Sequence, residues 1–150
     1  RDETFMLTVH ASGGREMIRR AASAAGEGGP SIVAVTALTS LDADDVREIT
    51  GSGEVGEWAQ RLGDLAIKAG ADGLVCSGQE VDDFRRTWGP DPLLVTPGIR
   101  PGTAVLGDQK RAVTPAEALD GGSDFLVVGR PIYEADDSIE VVERIADDIS

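Results

Sequence analysis

Five short runs of the chain are almost continuously apolar, while the longer stretches between them are apolar only every third or fourth residue. The short runs are Phe5–His10, Ile32–Leu38, Gly73–Cys76, Leu93–Thr96 and Phe125–Gly129. They are rich in Val, Leu and Ile and lack the alternation of a half-exposed strand, which predicts parallel strands buried on both faces. Helices are predicted between them. Arg15–Ala25 follows Gly13-Gly14, and Trp58–Ala69 sets Trp58, Leu62, Leu65, Ala66 and Ala69 along one stripe. Thr114-Pro115-Ala116-Glu117 has the Thr, Pro and Glu of a capping box, and Asp137-Ser138-Ile139-Glu140 opens a last helix in a similar way. Gly70, Gly121 and Gly122 stand where helices should close. Trp58 and Trp88 read as helix packing residues.

A strand–helix alternation repeated about five times specifies a parallel sheet, either open and doubly wound or closed as a barrel. An eightfold barrel takes roughly 250 residues and at least about 200. A chain of 150 residues is therefore either an open sheet or part of a barrel. Both architectures bind ligands at the carboxyl ends of their strands. Those ends read His10-Ala11-Ser12-Gly13-Gly14, Thr36-Ala37-Leu38-Thr39-Ser40, Cys76-Ser77, Thr96-Pro97-Gly98-Ile99-Arg100 and Gly129-Arg130-Pro131, each polar or small just after an apolar run.

The last two ends carry the clearest chemistry. A glycine at 129 lets backbone N–H groups approach an anion, and Arg130 adds a planar fork of donors that suits phosphate oxygens. In barrels the loops after strands seven and eight frequently form the phosphate site. The preceding connection, Arg100 to Arg111, is long for a strand-to-helix loop, as lids often are. Gly102 and Gly107 could serve it as hinges, and Gln109 offers both a donor and an acceptor. Read on its own, the same stretch is a surface loop with a basic tip.

Composition narrows the classes. The content is 41% hydrophobic and 27% charged, as in an ordinary globular protein, and no apolar run is long enough to span a membrane. The formal net charge of −13 argues against non-specific binding to nucleic acid or membrane, though a phosphate answers to the local field rather than the total. The acidic clusters Asp42–Asp45 and Glu134–Asp137 read as solvated helix faces and caps. The single cysteine, Cys76, lies in an apolar run and reads as a small buried hydrophobe in a reducing cytoplasm. The opening residues, Arg1-Asp2-Glu3-Thr4, lack an initiator Met and a signal-peptide pattern. They read as a cut inside a longer protein.

Five motifs occur in order along nearly the whole chain: Thr8–Gly14, Val35–Ser40, Val95–Arg100, Gly107–Arg111 and Val128–Ile132. Together they resemble the successive signatures of bacterial orotidine 5′-phosphate decarboxylases. The resemblance implies an α/β fold, a partial (βα)8 TIM barrel holding strands 4–8 of a single barrel domain over residues 1–150. It also implies a carboxy-lyase of pyrimidine biosynthesis that converts orotidine 5′-phosphate to uridine 5′-phosphate and carbon dioxide. No metal or organic cofactor is implied, and a cytoplasmic homodimer is. By the same resemblance Thr39 contacts the pyrimidine, while Arg100, Gln109, Gly129 and Arg130 lie around the phosphate and its closing loop. His10 is read as structural, since the family is not known to use it in chemistry. Ser12 and Ser77 lack an adjacent base in the sequence, and Thr36 and Thr96 read as barrel-end hydrogen-bonding groups.

The family's chemistry depends on lysines and aspartates in an Asp-x-Lys-x-x-Asp arrangement on the third strand. The physical logic is that a lysine held among carboxylates can protonate a carbanion. This chain has no such arrangement, and its only lysines are Lys68 and Lys110. No catalytic residue is therefore expected in it, and the chain alone is expected to be inactive. Two other readings remain: a related barrel decarboxylase acting on a sugar phosphate, and a non-catalytic nucleotide-binding remnant.

Overall fold

The computed structural model describes residues 4–101 and 111–149. β1 (Met6–His10) leads through a 3-10 turn at Ala11–Gly13 into α1 (Arg15–Ala25), then β2 (Ser31–Val35). Two helices, α2 (Ala43–Thr50) and α3 (Val55–Lys68), precede β3 (Gly73–Val75), and α4 (Val81–Trp88) precedes β4 (Leu93–Thr96). α5 (Pro115–Asp120), β5 (Phe125–Leu126), α6 (Arg130–Tyr133) and α7 (Ser138–Asp148) complete the described order.

All pairings are parallel, and the strands lie side by side in sequence order from β1 to β5. A doubly wound sheet reverses its strand order at a switch point; here there is none. The register aligns His10, Val35, Val75, Val95 and Phe125 in one row across the sheet. Val33, Val75 and Val95 pack together on this face with Met6 and Val35. The alternate positions Ala34, Leu74 and Leu94 face the helices, joining Ile18, Ala59, Leu62, Ala66 and Phe84 in the main core. Both faces are thus apolar, which explains the unbroken apolar runs.

The sheet also curls. In a flat sheet β1 and β5 would lie four strand spacings apart, about 19 Å. Instead the rings of Phe5 and Phe125 meet edge-on with centroids 5.8 Å apart. Sequential order plus curvature makes this a segment of a barrel wall rather than an open doubly wound sheet.

Two strands end three residues before their apolar runs do, while β1 and β3 are each one residue shorter than theirs. β2 ends at Val35, because after Thr36 donates its N–H to the Val75 carbonyl the backbone leaves the ladder. β5 ends at Leu126, although Val127 still donates to Thr96. The acidic run at 42–45 is a cap, as expected: the Asp42 carboxylate accepts from the Asp44 and Asp45 amides, and Asp45 returns a bond to the Asp42 N–H. The Thr114–Glu117 capping box also forms. At the amino ends of the strands, Asp72 accepts from Ile32 N–H and Asp124 from Leu94 N–H, each locking a strand to the one before it.

Trp58 and Trp88 both pack against the main core. Trp88 stacks edge-on with Phe84 at 4.8 Å and lies over Gly63, where an added Cβ would come 2.5 Å from the indole and 3.2 Å from Leu74. Gly63→Ala gains up to about 1 kcal/mol of helix propensity but overpacks the core, at a cost of roughly 1–3 kcal/mol. A net loss of stability is expected, read as a lower urea midpoint; an unchanged or raised midpoint would contradict this packing.

Among the described residues each outer strand pairs on one side only, and Phe5 and Val127 near the two strands are 65% and 49% accessible. Open, apolar edges favour strand addition between chains. The 150-residue chain is expected to self-associate at micromolar concentration in light scattering, and a monodisperse monomer would count against it.

Candidate functional site

The carboxyl ends of β2, β3 and β4 enclose a cleft of about 260 Å³. Val35, Val75 and Cys76 form apolar wall, and Thr39 and Ser40 line it from the turn after β2. A flat ring with polar edges fits such a lining. The Cys76 thiol is a wall and not a reagent, since burial pushes its pKa up to about 12. Thr39 is itself buried, at 8% exposure.

Past β4 the chain turns at Gly98, whose φ of +78° strongly favours glycine. Ile99 then bridges Val113, and Arg100 N–H donates to the Val113 carbonyl at 2.9 Å. This short parallel contact ties together the two ends of the long connection. Arg100 is buried, and its Nη1 donates to the Ile99 carbonyl at 2.8 Å. Gly129 and Arg130 stand at the end of β5, where Gly129 caps α6 and Arg130 is its first residue, half-buried. A Cβ at Gly129 would meet only Tyr133, at 3.4 Å. Nothing else among the described residues comes within contact of that position.

The structure thus sets Thr39, Arg100, Gly129 and Arg130 on one end of the sheet, with the Arg100 and Arg130 strands adjacent. Gln109, the hinge glycines Gly102 and Gly107, and Lys110 lie outside the described residues. Thr36 and Thr96 are barrel-end hydrogen bonders: Thr36 Oγ1 donates to the Val75 carbonyl at 2.9 Å, and Thr96 Oγ1 shares a 2.8 Å bond with Ser123. His10 ends β1 with its side chain exposed.

One prominent feature was not foreseen. Arg111, which the sequence suggests to be part of a basic tip, is buried and ion-paired with buried Glu80. Its Nη2 donates to the carbonyls of Ala37 at 3.1 Å and Leu38 at 3.0 Å. Glu80 also accepts from Ser77 N–H at 2.9 Å, and Ser77 Oγ donates to the Arg111 carbonyl at 3.2 Å. Ser77 is therefore tied into structure, its Oγ bonded to the Arg111 carbonyl and the Gln79 N–H. The available signal was Ser77-x-x-Glu80 ahead of the apolar Val81, the pattern of a helix start; nothing in the sequence marked Arg111 as its partner.

A curved, sequentially ordered parallel sheet with polar groups gathered at its carboxyl end defines a segment of a (βα)8 barrel with its candidate site on the face such barrels use. The model of the family described as "Orotidine 5'-phosphate decarboxylase / HUMPS family" matches residues 2–145, and the chain belongs to that family. It is 50% identical over 135 residues to an orotidine 5′-phosphate decarboxylase of Sphingopyxis alaskensis, a match covering 90% of this chain and 59% of the relative. It is 48% identical over 143 residues to one of Novosphingobium aromaticivorans, covering 95% and 63%. The crystal structure of orotidine 5′-phosphate decarboxylase from Lactobacillus acidophilus superposes with a TM-score of 0.77 at 37% identity, over 95% of this chain and 62% of that one. The chain thus spans about three-fifths of the length of these relatives.

Proposed function

We propose that the chain forms the phosphate- and pyrimidine-binding part of an orotidine 5′-phosphate decarboxylase, corresponding to strands four to eight of its single barrel domain. The observation that carries this is the placement of buried Thr39 in a ring-sized cleft at the same end of the sheet as Arg100 and Arg130. Thr39 and the cleft walls take the pyrimidine; Arg100, Gly129, Arg130 and Gln109 take the phosphate. The reaction breaks the bond between the ring and its carboxylate, leaving the electron pair on the ring carbon until a proton replaces carbon dioxide. The phosphate is remote from that carbon, so its binding energy aids the rate only by organising the reacting end. The lysine and carboxylates needed for the proton and for destabilising the substrate carboxylate would come from strands one to three, since this chain lacks their motif. A cytoplasmic homodimer using no metal or organic cofactor goes with this assignment.

A chimera tests it. Strands one to three of the Sphingopyxis alaskensis relative, joined ahead of this chain, are expected to give an enzyme that converts orotidine 5′-phosphate to uridine 5′-phosphate. Keto-gulonate phosphate should not be turned over, and the 150-residue chain alone should release no carbon dioxide. A folded chimera that binds but does not decarboxylate orotidine 5′-phosphate would favour a non-catalytic remnant. One that prefers the sugar phosphate would favour the other barrel decarboxylase.

A further inference from the structure

We propose that Arg111 is the positioning residue of the ring-binding turn, holding residues 37–40 so that Thr39 faces the pyrimidine. The role rests on the functional assignment above. β2 stops pairing after Thr36, and the next residues must leave the sheet in one defined direction for Thr39 and Ser40 to line the cleft. The carbonyls that set this direction, Ala37 and Leu38, directly precede Thr39, and both accept from Nη2 of Arg111, more than seventy positions away in sequence.

The anchor for that guanidinium lies on a third segment. Glu80 binds Nη1, Ser77 N–H holds the other oxygen of Glu80, and Ser77 Oγ holds the Arg111 backbone. The Arg111 side chain thus joins the turn after β2, the start of α4 and the residues preceding α5. A planar fork with fixed donor directions can serve two carbonyls and a carboxylate at once, which a flexible ammonium does not reproduce. The orientation is also costly in itself, because Arg111 Nε is buried and finds no partner among the described residues. A group retained only to fill space would be better replaced by an apolar one. Arg111 does not line the cleft, so it acts on the ligand only through the turn.

The test compares two ligands on the full chain by ligand-observed nuclear magnetic resonance. Uridine 5′-phosphate uses both ring and phosphate contacts, whereas ribose 5-phosphate lacks the ring. In R111K the affinity for uridine 5′-phosphate is expected to fall at least about tenfold, equivalent to about 1.4 kcal/mol. The affinity for ribose 5-phosphate should stay within about twofold, a change below roughly 0.4 kcal/mol. If R111K does not fold, R111M/E80Q decides the matter. That double variant keeps the volume, removes both buried charges and leaves an amide oxygen for Ser77 N–H. It should show the same selective loss. Equal losses for the two ligands, or an unchanged uridine 5′-phosphate affinity in a folded variant, would overturn the role. A wild-type chain that binds neither ligand would instead overturn the functional assignment, and the positioning role with it.

Discussion

Replacing Arg111 by alanine is expected to cost about 3–5 kcal/mol of folding stability, the range for breaking one side of a buried ion pair. Both Arg111 and Glu80 side chains are 8% exposed. Removing the guanidinium leaves the Glu80 carboxylate in a poorly solvated position where, among the described residues, the Ser77 N–H alone holds it. It also takes the donor away from the Ala37 and Leu38 carbonyls. Against a total of about 5–15 kcal/mol for a typical domain, such a loss should be plain in urea unfolding followed by tryptophan fluorescence. The surface pairs make the contrast. Arg20→Ala, which removes an exposed partner of Glu16, should change stability by less than about 1 kcal/mol. R111M/E80Q is expected to recover most of what R111A loses, since exchanging a whole buried pair for neutral groups of like volume is often close to neutral. A loss in R111A no larger than that in R20A would mean that the pair does not hold the three segments together.

The sequence foretold those features whose cause is local. Unbroken apolar runs marked all five strands; the central three, β2 to β4, are covered on both faces, whereas β1 and β5 keep exposed apolar residues, and β4 matches its run end for end. α1 and the cap of α5 were legible because turn glycines and a capping box act within four residues of themselves. The departures have tertiary causes. β2 stops short because Ala37 and Leu38 line the cleft rather than extend the ladder, while β5 ends one residue before Val127, which still donates to Thr96. The α4 helix was legible only at Trp88, read as a helix packing residue, because its apolar stripe of Val81, Phe84 and Trp88 spans only eight residues. The choice between open sheet and barrel wall rests on strand order and curvature, which no local pattern contains. For the site, the strand-end positions were readable from residue type and family resemblance. The Arg111–Glu80 anchor was not, because its members are 31 residues apart and meet only after α4 has packed.

Arg130→Ala is expected to weaken uridine 5′-phosphate and ribose 5-phosphate alike, by roughly 2–4 kcal/mol, as befits a charge-assisted contact in a partly desolvated site. The two ligands share only the phosphoribosyl portion, so equal losses place the contact there and distinguish Arg130 from Arg111, whose loss should fall on the ring-bearing ligand. Charge and geometry separate next. Arg130→Lys keeps the charge but replaces the planar fork by a point donor, so it should recover part of the affinity and no more. Added salt should weaken wild-type binding more than binding to R130A, because the lost term is the one that ions screen. The chain's overall charge of −13 makes this sharper: with a net field that repels a phosphate, the proposed site would have to rely on local cations at the ends of β4 and β5. If R130A bound both ligands as tightly as the wild type, the phosphate would have to be held elsewhere, and the assignment of the strand ends would fail at its most exposed point.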